Sequence, residues 1–257
     1  MSLLFCVILL YVLKTGEILI GNLYMRCDFM ELTEEIKKLL FYHGADLIGI
    51  GNMDEVENCN FKTGISVAVA LPKDIIIDLQ EAPTKEYYDL YDSLNRKLNE
   101  IVMAGEDFLK KRGFEAYAQT TDRVEVNQNN VSKLPHKTVA TRGGLGWIGK
   151  NCLLVTSQYG SAIRISSLLT NAPLKYDEPI NQSYCKTCNQ CVKSCPAQAL
   201  KGSLWTIGMT REKIVDIQKC YQKQVEIMTK STGIETDLCG KCFAVCSYTK
   251  RYLKSRT

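Results

Sequence analysis

The sequence predicts an α+β protein in which a mixed α/β domain is followed by a smaller, cysteine-rich module. Three observations lead to this prediction. Helix-like and strand-like patterns alternate from residue 30 to about residue 175, eight cysteines lie in the last third of the chain, and a Pro-containing linker spans residues 171–180. We therefore expect an α+β domain over residues 30–175 and a second module over residues 176–257.

The sequence of the first half of this domain predicts a helix, two strands and a long helix, in that order. Thr33 is a suitable N-cap for a first helix, which Gly44 would end. Apolar runs at residues 45–50 and 65–71 predict strands. A stripe of apolar side chains from Tyr87 to Val102 predicts a long helix over residues 84–112, which Gly113 would end.

The second half alternates short strands with loops. Residues 114–119, 153–156 and 162–169 read as strands. Residues 120–142 are polar without a clear period, which predicts a long loop. A helix is expected after Arg211, with Ile214, Ile217 and Val225 facing inward beside Cys220.

The N-terminal 29 residues are predicted to be an extension upstream of this domain. The apolar run at residues 3–13 is too short to span a bilayer as a helix, and it has no basic segment before it and no small-residue cleavage site. The domain pattern begins afresh at Met30. Reduced cysteines and iron–sulfur chemistry favour the cytoplasm as the location of the protein.

The cysteine spacing is the most specific signal in the chain. Cys185 opens a C-x2-C-x2-C-x3-C-P run that ends at Cys195 and Pro196, which is the spacing of bacterial [4Fe–4S] ferredoxins. A second set comprises Cys220, Cys239, Cys242 and Cys246. In two-cluster ferredoxins the fourth cysteine of each run ligates the other cluster. This rule predicts two quartets: Cys185, Cys188, Cys191 and Cys246 in the first, and Cys195, Cys220, Cys239 and Cys242 in the second.

Zinc and disulfides are the alternatives for these cysteines. Zinc also uses C-x2-C pairs, but it has no need of a third cysteine three residues on, nor of the following proline. Twelve cysteines in 257 residues are sparse for a disulfide framework in a chain long enough to form a core. The other four, Cys6, Cys27, Cys59 and Cys152, are expected to be small buried apolar groups.

Composition gives no indication of nucleic-acid binding. The chain is 46% hydrophobic and 23% charged, as is usual for a soluble globular protein, and its formal charge is +4. An oxidised cube with four thiolates carries about −2, so two such cubes would cancel the excess positive charge.

A glycine-rich motif, Gly144-Leu-Gly146-Trp-Ile-Gly149, matches the G-x-G-x-x-G pattern. A dinucleotide-binding fingerprint requires a strand before it and a helix after it, whereas here a polar segment precedes and a strand follows. The glycines therefore indicate either a tight turn in the core or a backbone that forms the wall of a cofactor site.

The order of these motifs resembles the epoxyqueuosine reductase family. Residues 142–151, RGGLGWIGKN, are followed by a strand pair containing Gly160-Ser161 and then by the cysteine pattern, and ADLIGIG at residues 45–51 fits the family's opening. The resemblance covers residues 30–250. It implies an N-terminal α+β cobalamin-binding domain, two [4Fe–4S] clusters in a ferredoxin-like module, and reduction of an epoxide on a tRNA wobble nucleoside.

The resemblance also implies cofactor contacts and partners. The corrinoid would lie against the glycine motif, and no motif for a histidine ligand to cobalt is present. An external donor of the flavodoxin or ferredoxin type would supply electrons, tRNA is the expected partner, and we expect a monomer. The implied corrinoid contacts are Arg142, Gly144, Gly146, Trp147, Gly149 and Lys150.

Two departures from the family pattern make this a short, divergent branch. Full-length relatives carry a helical-repeat domain after the clusters, and this sequence ends at Thr257 without one. The aspartate thought to donate a proton corresponds to Asn130, and an amide is not an acid. His136, Asp122 and Tyr117 are the other candidate donors, although each also has an ordinary structural explanation.

Two other functions are compatible with the same residues. The chain could be a two-cluster electron-transfer protein without a corrinoid, although a ferredoxin needs only about 60–80 residues. It could also handle a corrinoid as cargo rather than as a cofactor.

Overall fold

The computed structural model describes residues 17–125 and 132–255, and residues 17–29 by their backbone alone. Eight α-helices lie in this part of the chain, together with a 3-10 turn at Arg211–Lys213. No helix in the described ranges is long and apolar enough to cross a membrane. The helices are α1 (Glu17–Tyr42), α2 (Lys73–Asp78), α3 (Lys85–Lys111), α4 (His136–Arg142), α5 (Gln190–Lys193), α6 (Ile217–Thr232), α7 (Lys241–Ala244) and α8 (Ser247–Lys254).

Four strands form an antiparallel sheet in the order β1-β2-β6-β3, and a two-stranded sheet pairs β4 with β5. The register sets Leu47 of β1 opposite Ala68 of β2, and Ile65 of β2 opposite Leu168 of β6. The strands are β1 (Leu47–Asn52), β2 (Thr63–Ala70), β3 (Ala116–Ala118), β4 (Trp147–Ile148), β5 (Leu154–Val155) and β6 (Ile163–Thr170). Five of these six strands overlap the five segments predicted from the sequence, whereas β4, inside the glycine motif, was not predicted.

Both faces of the large sheet are covered. Along β2, Ile65 and Val67 pack with α1 and α3, whereas Ala68 packs on the opposite face with Ala140 of α4. This alternation is the two-residue period of a strand. It explains why β2 reads as a continuous apolar run, because every side chain but the last is buried.

The long helix α3 confirms its prediction. The Thr84 side chain accepts a hydrogen bond from the Tyr87 backbone N–H, which makes it the N-cap. The predicted stripe faces the sheet, and Leu98, Ile101 and Val102 are almost fully buried. Gly113 follows the helix with a positive φ of 84°.

Two of the predicted boundaries are wrong. The first helix begins at Glu17, before Thr33, and its buried Thr33 hydroxyl accepts a hydrogen bond from the backbone of Lys175 instead of capping α1. Residues 120–142 are not wholly a loop, because His136–Arg142 form α4. This short helix has no side-chain cap and is held by packing on the sheet, a tertiary effect that a periodicity search does not detect.

The cysteine-rich part of the chain has little regular structure and packs on the sheet domain. Ile214 and Val215 precede α6, which Asp216 caps by accepting from the Lys219 N–H. Met228, Phe243 and Ala244 belong to the same buried cluster as Ile65 and Leu98. The two halves of the chain therefore share a core.

Candidate iron–sulfur and cavity site

The first cysteine quartet surrounds one small pocket. Cys185 and Cys188 lie in the loop before α5, Cys191 lies in α5, and Cys246 immediately precedes α8. All four line the pocket together with Lys150, Ser247 and Tyr248. Residues 55 positions apart in the chain are thus brought to one site, as the crossing rule predicts.

The second quartet lies apart from this pocket. The thiol of Cys220 interacts electrostatically with those of Cys195 and Cys239, and the thiol of Cys242 interacts with all three. The structure thus brings together the four cysteines that the crossing rule assigns to a second cluster. Cys242 also interacts with Cys191, so the two quartets are neighbours.

Cys188 of the first quartet differs from the other shifted thiols in its electrostatic surroundings, whereas burial raises the pKa of Cys191 in the same quartet to about 12. Burial raises the pKa of Cys242 well above its usual value and that of Cys220 to about 11. Burial acts in the same direction on Cys188, but the Gln190 N–H, the Ser247 hydroxyl and the ammonium groups of Lys150 and Lys250 together lower its pKa. A buried thiolate needs such partners or a bound cation.

Among the described residues, no three Cys, His, Asp or Glu side chains converge closely enough to hold a single metal ion. The zinc alternative, which requires four ligands around one ion, therefore gains no support from this arrangement.

A cavity of about 540 Å³ lies beside the first quartet. Its walls are the glycine motif and an aromatic group in which the Trp147 ring is 5.0 Å from that of Tyr184 and 4.9 Å from that of Tyr248. Tyr248 lines both this cavity and the pocket of the first quartet. A volume of this size is typical of small-molecule and cofactor sites.

The glycine motif has a structural explanation in addition to its place in the cavity wall. Gly144 has a φ of 69°, and a Cβ there would lie 2.5 Å from the Glu178 carbonyl oxygen. A Cβ on Gly146 would overlap the Val155 carbonyl oxygen. The motif is therefore a tight turn that also forms part of the cavity wall.

The six predicted corrinoid contacts do not all lie in this cavity. Gly144, Gly146 and Trp147 line it. Arg142 donates from Nε to the Asn52 carbonyl oxygen at 2.8 Å, and Lys150 lines the pocket of the first quartet, where its Nζ donates to Asn189 Oδ1 at 2.8 Å. The sixth residue, Gly149, is packed against Asn151 and Val155.

His136 lies at the start of α4 in a hydrogen-bond chain. Gln119 Nε2 donates to the Leu134 carbonyl oxygen, so Gln119 Oε1 accepts from the Ser167 hydroxyl at 2.5 Å. The single hydroxyl proton is then used, and Ser167 Oγ must accept from His136 Nδ1–H at 2.8 Å. Neutral His136 therefore carries a bare Nε2.

Burial and the charge of Arg164 lower the pKa of His136 to about 4. At neutral pH its Nε2 can accept a hydrogen bond but has no proton to give, so this geometry suits an acceptor better than the acid considered from the sequence. The exposed Asp122 is a turn residue whose pKa is lowered by the Thr120 hydroxyl and its own backbone N–H. The Tyr117 hydroxyl donates a hydrogen bond to the Arg123 carbonyl oxygen. Asn130 lies outside the described residues.

Several groups were not predicted from the sequence. Tyr184 and Tyr248 flank cysteines and could have been suspected from that proximity, whereas Lys137 carried no such signal. Its ammonium donates to the Cys152 carbonyl oxygen at 2.8 Å. Cys152 is buried, as predicted, but in a left-handed conformation with a φ of 61°. Cys59 is half-buried, while Cys6 and the side chain of Cys27 lie outside the described residues.

The fold and the cysteine run define the class as an iron–sulfur protein with a mixed α/β sheet domain. A 4Fe-4S binding domain family matches residues 178–201, which contain the first four cysteines of the run.

Within that class the chain is a homologue of the epoxyqueuosine reductases. The enzyme of Lactococcus garvieae is 31% identical over 208 residues, 74% of this chain and 52% of that protein. That of Synechocystis is 32% identical over 130 residues, 46% of this chain and 41% of that protein. The predicted resemblance is thereby confirmed. The chain spans about half the length of these curated relatives, or less.

Solved structures agree at the level of the fold. An epoxyqueuosine reductase with a tRNA-Tyr stem loop matches 86% of this chain and 66% of its own, with a TM-score of 0.57 and 22% identity. The catabolic reductive dehalogenase NpRdhA matches 86% of this chain and 32% of its own, with a TM-score of 0.64 and 19% identity. Another neighbour is described as a B12-dependent reductive dehalogenase.

Proposed function

We propose that this chain is a cobalamin-dependent iron–sulfur reductase of the epoxyqueuosine reductase type, acting on a modified nucleoside in tRNA. The observation that carries the proposal is the placement of the first cysteine quartet beside a cavity walled by the glycine motif, with the second quartet next to the first. The 31% identity to an epoxyqueuosine reductase supports the same conclusion and favours it over a simple electron-transfer protein.

Two [4Fe–4S] clusters would be held by the two quartets, with Cys246 and Cys195 exchanged between the runs. The residues fit such groups, because the donors are thiols and their partners at the first quartet are cations and hydroxyl or amide donors. At the second quartet, Gln224 Nε2 donates to Cys220 Sγ at 3.1 Å. Such hydrogen bonds to ligand sulfurs tune the reduction potential of a cluster.

We infer that a corrinoid would bind in this cavity without a protein ligand to cobalt. A flat macrocycle could lie against the backbone of residues 143–146 and the apolar side chains of Leu47 and Leu145, and its amide groups could donate to Asp177 and Glu178. Neither histidine of the chain, His43 nor His136, lines this cavity. When bound, a corrinoid supplies a low-valent cobalt that can reduce a carbon–oxygen bond.

Tyr248 lies between the cavity and the pocket of the first quartet, and the Trp147 ring packs against it on the cavity side. Both rings are packed together, and Trp147 is 3% exposed. The first quartet is therefore the one through which electrons would reach the cavity, and the second would relay them.

The substrate would be epoxyqueuosine in tRNA or a related modified nucleoside. Its epoxide would gain two electrons and two protons, both carbon–oxygen bonds would break, a double bond would form between the two ring carbons, and the oxygen would leave as water. An epoxyqueuosine reductase with this fold has been solved with a tRNA stem loop. Solvent would supply the protons, because neutral His136 has no proton on Nε2 and does not line the cavity.

The first test is metal analysis of the chain after anaerobic reconstitution, addition of cobalamin and desalting. We expect about eight irons and one cobalt per chain. Leu47→Trp, which fills the cavity, should lose the cobalt and keep the iron, whereas Met103→Trp on the outer face of α3 should keep both. Eight irons without cobalt in the unaltered protein would favour the electron-transfer alternative.

The substrate requires a second assay. An epoxyqueuosine-containing anticodon stem loop is incubated with the loaded protein and a reductant, and the nucleosides are analysed by mass spectrometry. Loss of oxygen from the nucleoside is the expected result. A protein that retains cobalt but leaves this nucleoside unchanged acts on another substrate.

A further inference from the structure

One surface of the cysteine-rich module combines exposed aliphatic side chains with positive charge. Leu204 is 44% exposed and Ile207 is 57% exposed, although the part of the chain around them is well ordered by hydrogen bonds. Lys201 and Lys213 flank them and are also exposed. We call these four residues the 201–213 face.

The backbone holds this face in a defined conformation. Lys201 N–H donates to the Ile214 carbonyl oxygen at 2.9 Å, which joins the two arms of the segment. At its tip, Ile207 N–H donates to the Asn181 carbonyl oxygen at 2.8 Å, and the Trp205 carbonyl oxygen accepts from Ser183 N–H at 2.7 Å. Because these hydrogen bonds fix the backbone, Leu204 and Ile207 are held in defined positions at the surface.

The inner side of the same segment reaches the cysteines. Trp205, between the two exposed aliphatic residues, is 8% exposed and belongs to the buried cluster against which Cys185, Cys195 and Cys220 pack. Its carbonyl partner Ser183 in turn accepts a hydrogen bond from the Cys185 N–H at 3.4 Å. A molecule that contacts the outer side would thus lie on a segment whose inner side belongs to the cluster on which cysteines of both quartets pack.

The charge on this segment selects the kind of partner. Residues 201–219 contain four Lys or Arg and two Asp or Glu. Of the two carboxylates, Glu212 pairs with Arg211 and Asp216 pairs with Lys219. Neither Lys201 nor Lys213 forms an ion pair within the described ranges, so both can meet carboxylates of another protein.

We propose that the 201–213 face is the docking surface for an acidic one-electron carrier protein of the ferredoxin type. The proposal rests on the reductase function proposed above, which requires an external donor. On docking, the carrier loses one electron and a cysteine-bound cluster gains it, without any bond being made or broken. Aliphatic side chains suit a protein partner, whereas single-stranded RNA would be bound by exposed aromatic rings.

Binding and electron transfer can be measured separately with a plant-type [2Fe–2S] ferredoxin as the probe. The double variant Leu204→Ser/Ile207→Ser should weaken its Kd at least about tenfold and slow cluster reduction by reduced ferredoxin to a similar degree. Reduction by dithionite, which needs no docking surface, should keep the rate of the unaltered protein. Phe41→Ser, at a site 50% exposed on α1, is the matched control and should change neither value.

Charge is tested by Lys201→Glu/Lys213→Glu, with Lys38→Glu on α1 as the control. The reversal should weaken ferredoxin binding and flatten its dependence on salt, since attraction between exposed charges is screened at about 10 Å in 0.1 M salt. Unchanged ferredoxin affinity in both double variants would overturn the proposal. Loss of binding to a tRNA stem loop, with ferredoxin binding intact, would also overturn it and assign the face to RNA.

The test distinguishes failure of the docking proposal from failure of the proposed reductase. Iron content and dithionite reduction report on the clusters whether or not ferredoxin binds. If the protein forms both clusters but the variants of the 201–213 face do not change ferredoxin binding, the proposed reductase function stands and only the docking proposal fails.

Discussion

The two cysteine quartets contain the same ligands but lie in different surroundings. Cys188 of the first quartet is 3.0 Å from the Ser247 hydroxyl and interacts with Lys150 and Lys250, whose charges lower its pKa together with the Gln190 N–H, although burial opposes them. Burial and neighbouring thiols raise the pKa of Cys220 and Cys242 in the second quartet, and also that of Cys191 in the first, so the contrast between the quartets lies in the cations and hydrogen-bond donors around Cys188.

Two clusters with identical cysteine ligands can therefore differ in redox role because the residues around those ligands differ. Cations and hydrogen-bond donors stabilise the more negative, reduced state of a cluster, whereas burial without them disfavours it. We therefore expect the first quartet to hold the cluster of higher potential. That is also the quartet that adjoins the cavity through Tyr248, so electrons would flow toward it.

The largest expected effect comes from breaking the pairing itself. Cys195→Ala removes a ligand of the second quartet although the residue belongs to the first sequence run, and Cys246→Ala does the reverse. Each variant should retain about four of eight irons. The electron paramagnetic resonance spectrum of Cys195→Ala should match that of Cys220→Ala, and the spectrum of Cys246→Ala should match that of Cys185→Ala.

Grouping by sequence run would contradict this assignment. If the spectrum of Cys195→Ala instead matched that of Cys185→Ala, each quartet would consist of cysteines that are consecutive in the chain. The assignment on which the comparison of the two quartets rests would then be wrong. The same four spectra also identify each cluster's signal for the measurements of potential below.

The stability of the sheet domain limits how far the pH can be lowered in measurements on the two quartets. His136 has its pKa lowered to about 4 by burial and by Arg164, whereas an unfolded histidine titrates near 6.5. The unfolded chain therefore binds more protons between these values, so the free energy of unfolding should fall by about 2 kcal/mol from pH 7 to pH 5.

His136→Gln should remove most of that fall, because glutamine does not titrate. The measurement is urea unfolding of both proteins at pH 7, 6 and 5. Equal pH dependence in the two would show that His136 does not titrate as its burial implies. His43, which is exposed on the loop after α1, provides the control variant His43→Gln.

The quartets could be predicted from sequence because their information is local. Cys185, Cys188 and Cys191 of the first quartet lie within seven residues, Cys239 and Cys242 of the second are three residues apart, and a general rule supplies the crossing. The long helix α3 was predictable for the same reason, since Thr84 and the apolar stripe lie within that segment. Thr33 shows the limit, because its hydroxyl binds the backbone 142 residues away instead of capping its own helix.

The cavity site was only partly predictable because it depends on contacts between distant segments. Lys150 follows the glycine motif in sequence and was therefore assigned to the cofactor, but the turn between β4 and β5 directs it to Asn189 and the first quartet. Helix α4 lies close to β1 because Gly49 and Gly51 lack side chains, and a Cβ on Gly51 would lie 2.5 Å from the Arg142 carbonyl carbon. No local pattern in residues 136–142 contains that information.

Removing a cation from the first quartet sharpens the comparison. Lys150 is 5% exposed, so its charge is poorly screened. Lys150→Met should lower the potential of the first cluster by roughly 60 mV, a tenfold change in a one-electron equilibrium, and should leave the second nearly unchanged. Redox titration followed by electron paramagnetic resonance measures both. Asn189→Ala, which removes the partner but keeps the cation, should shift the potential much less.

A smaller effect is expected from the corresponding cation of the second quartet. Lys241 interacts with Cys239, but its ammonium donates to the Gln80 carbonyl oxygen and is partly exposed, so solvent screens it more than Lys150. Lys241→Met should lower the second potential by roughly 30 mV, and Lys230→Met, on the exposed part of α6, should have no effect. If Lys241→Met shifted the second potential as far as Lys150→Met shifts the first, nearby cations would stabilise the reduced clusters of the two quartets equally. The direction of electron flow would then have to come from their distances to the cavity alone.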